Sequence, residues 1–279
     1  MLYWLLYQEL YPFFSPFRVF RYVTFRTAFA GLTALFICII LGPWLIRRLR
    51  EFQIGQYIRE EGPQAHHAKA GTPTMGGVLI LISFLVPTLL WVDLSNAYVW
   101  IVIFATVTFG LIGFFDDYLK IRRRHNQGLT ARTKFSLQFL TAFVVGIFLL
   151  ILTAKGQYST HLIVPFFKRF RPDLLIDSLL TNPYTYPLAF LAFFIFVMLV
   201  IVGASNGVNL TDGLDGLAIG LTTIAAGALT ALTYVTGHAV FARYLEIQFL
   251  PGVAEVTVFG GALVGASVGF LWYNAHPAE

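Results

Sequence analysis

The sequence predicts an all-α fold, a polytopic integral membrane helical bundle with about seven transmembrane helices. Hydrophobic residues fill 57% of the 279 positions and charged residues only 12%, with a mean hydropathy of +0.73 that an ordinary soluble globule does not reach. The charges fall into islands, and the uncharged gaps between them are about twenty residues or more, each enough for one span. The net charge of +5 comes from basic residues that flank apolar runs, a placement that fits an anionic leaflet better than nucleic acid.

Taken in order, residues 1–26 are rich in Tyr, Trp and Phe and carry Arg18, Arg21 and Arg26, as an interfacial segment leading into the first span does. With Glu9, Pro12 and Pro16 and no small-residue cleavage site, this stretch does not read as a removable signal peptide. Spans are expected near 27–46, 70–92, 94–115, 135–154, 188–203, 212–236 and 256–273, within a single membrane domain over 1–279. The fifth starts late because Asn182-Pro183 and Pro187 interrupt its uncharged gap. Cys38, the single cysteine, lies inside an apolar run as a small core residue and forms no intramolecular disulfide.

If the spans alternate, loops 47–74, 116–134 and 203–211 and the tail from Tyr273 share one side. Two short loops there hold Arg47, Arg48, Arg50, Arg59 and Lys69, and Lys120, Arg122, Arg123, Arg124, Arg132 and Lys134. The positive-inside rule makes that side cytoplasmic and puts the N-terminus outside, although Lys155, Lys168, Arg169 and Arg171 on opposite loops soften the bias.

The polar motifs converge on the same side. Gly203 to Ala218 is a dense run of Gly, Asn, Thr and Asp between apolar stretches. Asn209, Asp212 and Asp215 recur every three residues, so a helix wound there would carry them along one face and present its N-terminal amides to an anionic ligand. Ordinary capping accounts for one carboxylate there but not for two with two asparagines. Lys69-Ala-Gly-Thr-Pro-Thr-Met-Gly-Gly sets Lys69 and Thr74 among turn residues suited to phosphate or nucleotide, or else to a snorkelling lysine at a helix entry. His66 and His67 beside it point apart and read as solvated loop residues. Asp116 and Asp117 end an apolar helix, where unpaired acids are costly and oppose the dipole. Adjacent helical positions diverge by about 100°, which assigns the two acids different roles, one orienting a nucleophile and the other holding a metal or a lysine. Arg132 and Lys134 open the fourth span and suit a lipid phosphate or plain anchoring. Asn274 ends the last span, and His276 before Pro277 reads as structural.

Together, Lys69 through Gly77, Asp116-Asp117-Tyr118, the stretch from Asn126 to Lys134, Asn209 through Ala218 and Leu271-Trp-Tyr-Asn274 closely resemble the phospho-N-acetylmuramoyl-pentapeptide transferase family. This family sits within the polyprenyl-phosphate N-acetylhexosamine-1-phosphate transferases. The resemblance runs along essentially the whole chain. It implies transfer of phospho-N-acetylmuramoyl-pentapeptide from UDP-N-acetylmuramoyl-pentapeptide to undecaprenyl phosphate, with release of UMP and use of Mg²⁺. The setting it implies is a bacterial inner membrane, with the lipid bilayer as partner, no nucleic acid, and a homodimer as an open arrangement. It carries over Asp116 and Asp117 as the catalytic pair, and Lys69, Thr74, Lys134, Asn209, Asp212, Asp215 and Asn274 as substrate contacts, with Asp215 at the uracil end. Two departures stand out. Gln127 replaces a frequent Lys, and the family's Val-Phe-Met-Gly-Asp, whose Asp binds magnesium, would follow Glu279; the metal ligand is therefore unassigned. The chain resembles the first seven of about ten helices, from which little or no transferase activity is expected for these 279 residues alone.

Two other classes fit parts of the pattern. A transferase for another UDP-N-acetylhexosamine would share the paired acids, and substrate competition would separate it. An ion-coupled transporter would place acids near mid-span and show internal symmetry, whereas these acids sit at span ends and no repeat is visible. Cysteines introduced at Gln64, Gln127 and Ser205 are expected to label from the cytoplasmic side and one at Gln157 from the outside; labelling of Gln127 and Ser205 from opposite faces would break the convergence of the motifs.

Overall fold

The computed structural model describes residues 1–51, 75–123, 128–164, 167, 170–182, 184–211 and 214–275. The described residues are almost wholly helical: α1 (Val23–Glu51), α2 (Gly77–Trp91), α3 (Ala97–Arg123), α4 (Ala131–Ala154), the short α5 (Tyr186–Ala189), α6 (Leu191–Thr211), α7 (Leu217–Thr236), the short α8 (Ala239–Tyr244) and α9 (Val256–Asn274). Among the described residues, six helical segments are long and apolar enough to cross a membrane: Val23–Glu51, Ala97–Arg123, Ala131–Ala154, Leu191–Thr211, Leu217–Thr236 and Val253–Asn274. The fold class expected from the sequence is therefore found, a multi-pass helical membrane protein. The expected span at 70–92 coincides with α2, whose fifteen described residues rise only about 22 Å, less than a bilayer core of about 30 Å. Residues 70–74 of the expected span lie outside the described ones.

The chain forms two compact units, residues 1–134 with 211–279, and residues 135–210. In the first, α1 and α9 lie side by side and run in the same direction, as the first and seventh members of an alternating series would. Their seam is made of small residues. Gly261, Gly265 and Gly269 recur every fourth position of α9, and a Cβ on Gly261 would stand 2.8 Å from the Thr27 carbonyl oxygen, one on Gly265 would strike the Gly31 carbonyl, and one on Gly269 would meet Cys38 Cβ at 2.8 Å. Between lipid-facing helices such stripes let backbones approach, because lipid tails offer no hydrophobic drive to bring them together. Ala30, Ala34, Ala262 and Ala266 are fully buried in the same seam, with Phe84 of α2 in the core beside them. Cys38 is buried and free, as its apolar surroundings predict.

At the start of α1 the structure departs from expectation. Arg26, read as one of the interfacial arginines, is 2% exposed. Its guanidinium forms a two-pronged pair with Glu255, just ahead of α9, at 2.8 and 2.5 Å. It also donates to the Trp91 carbonyl at 3.1 Å and lies over the Tyr3 ring, 4.2 Å from the centroid. Glu255 accepts the Asp93 backbone N–H at 3.1 Å, and the N-terminal amine donates to the Leu89 carbonyl at 3.0 Å. The planar fork and the ring face explain why an arginine, and not a lysine, fills this place.

In the second unit, Phe143 stacks on Phe194 with centroids 4.7 Å apart, and Gly146 leaves room for the Phe194 ring. Buried Gln138 of α4 accepts from the Asn206 amide at 2.8 Å, and the same amide reaches the Val202 carbonyl at 2.8 Å. These bonds explain why α6 continues to Thr211 beyond the expected end near 203: Ser205 and Asn206 find partners inside the helix pair and do not break it. Among the described residues the sole β feature is a bridge between His161 and Asp173.

Glu255→Gln keeps the shape of the side chain but leaves the Arg26 charge buried without its counter-ion, which typically costs about 3–5 kcal/mol. The thermal midpoint of the variant is expected to fall, and adding Arg26→Met is expected to restore part of it by removing the stranded charge. A double variant no more stable than Glu255→Gln would show that the two charges are not coupled.

Candidate active site

α3 carries its apolar stretch through Phe115 and then adds two turns that hold both acids and three basic residues, Lys120, Arg122 and Arg123, whose charges suit the helix C-terminus. Lys120 is four residues after Asp116 and three after Asp117, so its ammonium falls on the same face as both. Its Nζ stands 2.8 Å from Asp116 Oδ2 and 2.9 Å from Asp117 Oδ1. The diverging acids therefore share one cation, which the assignment of separate partners did not anticipate.

Asp116 is the more enclosed of the two, its side chain 13% exposed against 38% for Asp117. Its Oδ1 accepts the Leu129 backbone N–H at 2.8 Å, and its Oδ2 lies 3.7 Å from Lys134 Nζ. The segment returning toward α4 can come this close only because residue 128 is glycine: a Cβ there would sit 2.5 Å from the Asp116 carbonyl oxygen and would overlap its carboxylate. Thr130 then caps α4, its Oγ1 accepting the Thr133 N–H at 3.2 Å, which sets Lys134 in the first turn, facing Asp116. The result is two carboxylates and two ammonium groups interleaved at one helix end, near neutral as a set, with Asp116 held from several sides and Asp117 more open.

A second group forms where α7 begins. Gly216 has φ +76°, a left-handed conformation that glycine adopts without strain. A Cβ on it would meet the Asn274 carbonyl oxygen at 3.4 Å and Leu271 Cδ1 at 3.3 Å. The turn of Asp215 and Gly216 thus packs on the last turn of α9, bringing the backbones that carry Asp215 and Asn274 together. Asn209 is exposed in the final turn of α6, in the other unit. Asn209 and Asp215 do not share one helix: α6 ends at Thr211, α7 begins at Leu217, and Asp215 lies in the turn before it. Gly216, in its left-handed conformation, is the N-cap at which α7 begins. Lys69, Thr74 and Asp212, with His66, His67, Gln127 and His276, lie outside the described residues.

Sequence reasoning gave Lys120 no role in the site, although its spacing from the two acids was the available signal. It also missed the Leu129 amide, which no side-chain pattern reveals. Among the described residues no group of three or more His, Cys, Asp or Glu side chains is gathered to hold a metal ion. Magnesium does not require one, because it takes one or two carboxylates and completes its shell with water and phosphate oxygens. The more exposed Asp117 carboxylate fits that demand.

Residues 99–279 match glycosyl transferase family 4, and residues 69–81 match the phospho-N-acetylmuramoyl-pentapeptide-transferase signature 1. Among curated relatives, the chain is similar to the phospho-N-acetylmuramoyl-pentapeptide-transferase of Koribacter versatilis, 63% identical over 281 residues, and to that of Acidobacterium capsulatum, 66% identical over 279. The protein of the same name from Solibacter usitatus is 59% identical. Each alignment covers 100% of this chain and 74% of the relative.

Gly128→Ala is expected to push the Leu129 amide away from Asp116. In a chain continued to the full length of the relatives, turnover should fall by about tenfold or more, since a displacement of about 1 Å at a reacting group can cost on the order of 10²-fold. Unchanged turnover would show that the acid does not depend on this close approach.

Proposed function

The chain belongs to glycosyl transferase family 4, among its phospho-N-acetylmuramoyl-pentapeptide transferases, and from that membership we propose that it transfers phospho-N-acetylmuramoyl-pentapeptide from its UDP carrier to undecaprenyl phosphate. A phosphate oxygen of the lipid attacks the sugar-bearing phosphorus of the UDP substrate. The bond from that phosphorus to the bridging oxygen breaks, and the products are the lipid-linked diphosphate sugar and UMP.

The observation that carries the reading is the acid pair held at the end of α3 by Lys120 and Lys134. Phosphoryl transfer asks a protein for positioning and charge neutralisation more than for covalent chemistry. Lys120, between the two acids, keeps an ammonium where phosphate oxygens must come close together. Asp116, fixed by the Leu129 amide and the lysines, orients this cluster, and the more open Asp117 faces the reacting phosphates. Mg²⁺, held by Asp117 and the phosphates of the substrate, would supply the remaining positive charge.

We assign the UDP-sugar to Lys69, Thr74, Asn209, Asp212, Asp215 and Asn274, with Asp215 toward the uracil, a reading supported by the packing of the Asp215 turn on the end of α9. The site faces the cytoplasm of a bacterial inner membrane in this reading, supported by the arginines and lysines of the loops at 47–74 and 116–134.

The test is UMP release from UDP-N-acetylmuramoyl-pentapeptide in membranes, for these 279 residues and for a chain continued to the relatives' length. Release in the longer chain should require undecaprenyl phosphate and Mg²⁺, and UDP-N-acetylglucosamine should not substitute. Asp116→Asn and Asp117→Asn should each lower turnover by about 10²-fold or more while the protein stays folded. Near-normal rates in both variants would end the assignment of the pair.

A further inference from the structure

Pro43 lies inside α1. A proline has no N–H for the carbonyl one turn earlier, so the Ile39 carbonyl loses its helical donor in a stretch that the sequence places within the bilayer. The hydroxyl of Tyr273, in the last turn of α9, donates to that carbonyl at 2.7 Å. The ring reaches it by crossing Gly42, where a Cβ would stand 2.5 Å from ring atom Cε2 and 2.7 Å from Cζ. Ile39, Gly42 and Pro43 thus make a seat on α1 for one side chain of α9: the proline opens the acceptor and the glycine clears the way to it.

The next residue after Tyr273 is Asn274, where α9 ends and on whose carbonyl the Gly216 turn rests. We propose that Tyr273 is a positioning residue for the nucleotide substrate: by fastening the end of α9 to the carbonyl that Pro43 leaves open, it fixes where Asn274 and the Asp215 turn stand. The proposal rests on the reading of Asn274 and Asp215 as nucleotide contacts. Tyr273 itself need not touch the substrate. Its phenol is engaged with α1, and its effect passes through the backbone of its neighbour.

The experiment uses the chain continued to the relatives' length, in nanodiscs, with Tyr273→Phe, Pro43→Ala, the two combined, and Asn274→Ala. Tyr273→Phe removes one oxygen. It should raise the KM for UDP-N-acetylmuramoyl-pentapeptide about fivefold, the scale of one ordinary hydrogen bond, with kcat within about twofold of the parent. Backbone amides of residues 270–275 should also exchange with deuterium faster. Pro43→Ala gives Ile39 a donor within its own helix, so the double variant should regain thermal stability without regaining the tether, and its KM should stay raised. Recovery of KM together with stability would overturn the proposal, because the hydroxyl would then serve the fold alone. If Asn274→Ala raises KM and Tyr273→Phe does not, the positioning role fails while the nucleotide site stands. If Asn274→Ala itself leaves KM unchanged, the reading of that site fails, and the inference with it.

Discussion

A buried arginine that answers to a single carboxylate organises one end of the first unit. Arg26 and Glu255 are 229 positions apart in the chain, yet their pairing joins the start of α1 to the approach to α9, and the Trp91 carbonyl and the Tyr3 ring add the end of α2 and the N-terminal segment. A charge in this position is costly unless every group around it is in place. The cost works as a specification: alternative registers of the helices would strand the guanidinium or the carboxylate, and greasy helix faces alone would not penalise such a slip.

Away from that pair, along α1 and α9, contact is made by backbone. Thr27, Gly31 and Cys38 meet Gly261, Gly265 and Gly269 so closely that little side-chain volume lies between. Two rods in such contact keep their spacing, and the phenol of Tyr273 fastens them again near the far end. The first unit thus has a stiff pair of parallel helices, charged at one end and hydroxyl-bonded near the other, and the turn that carries Asp215 rests on the second of these ends.

Much of this was legible in the sequence. The charge islands and uncharged gaps gave the helices, because a bilayer imposes length and composition on each span separately. The acid pair stood out because acids at the end of an apolar helix are expensive. What stayed hidden depends on meetings between distant residues. Arg26 looks like an interfacial arginine until Glu255 is placed against it, and the Leu129 amide has no signature at all. Lys120 lay in between: its spacing from Asp116 and Asp117 could be read, but a lysine in a basic loop has an ordinary explanation that masks the special one. For α6, polarity alone predicts a stop, and the helix continues because Gln138 supplies what Asn206 needs.

That pair of amides has a consequence for the turn beyond it. Asn206 is clasped from α4, and Asn209 follows three residues later on the same helix, so the azimuth of Asn209 is inherited from a bond it does not make. One residue added between them would swing Asn209 round the helix axis by about 100° and leave the hydropathy of the helix almost unchanged. In this part of the chain, phase is information of a separate kind from polarity: two sequences equally at home in lipid can differ in the direction their final asparagine of α6 takes.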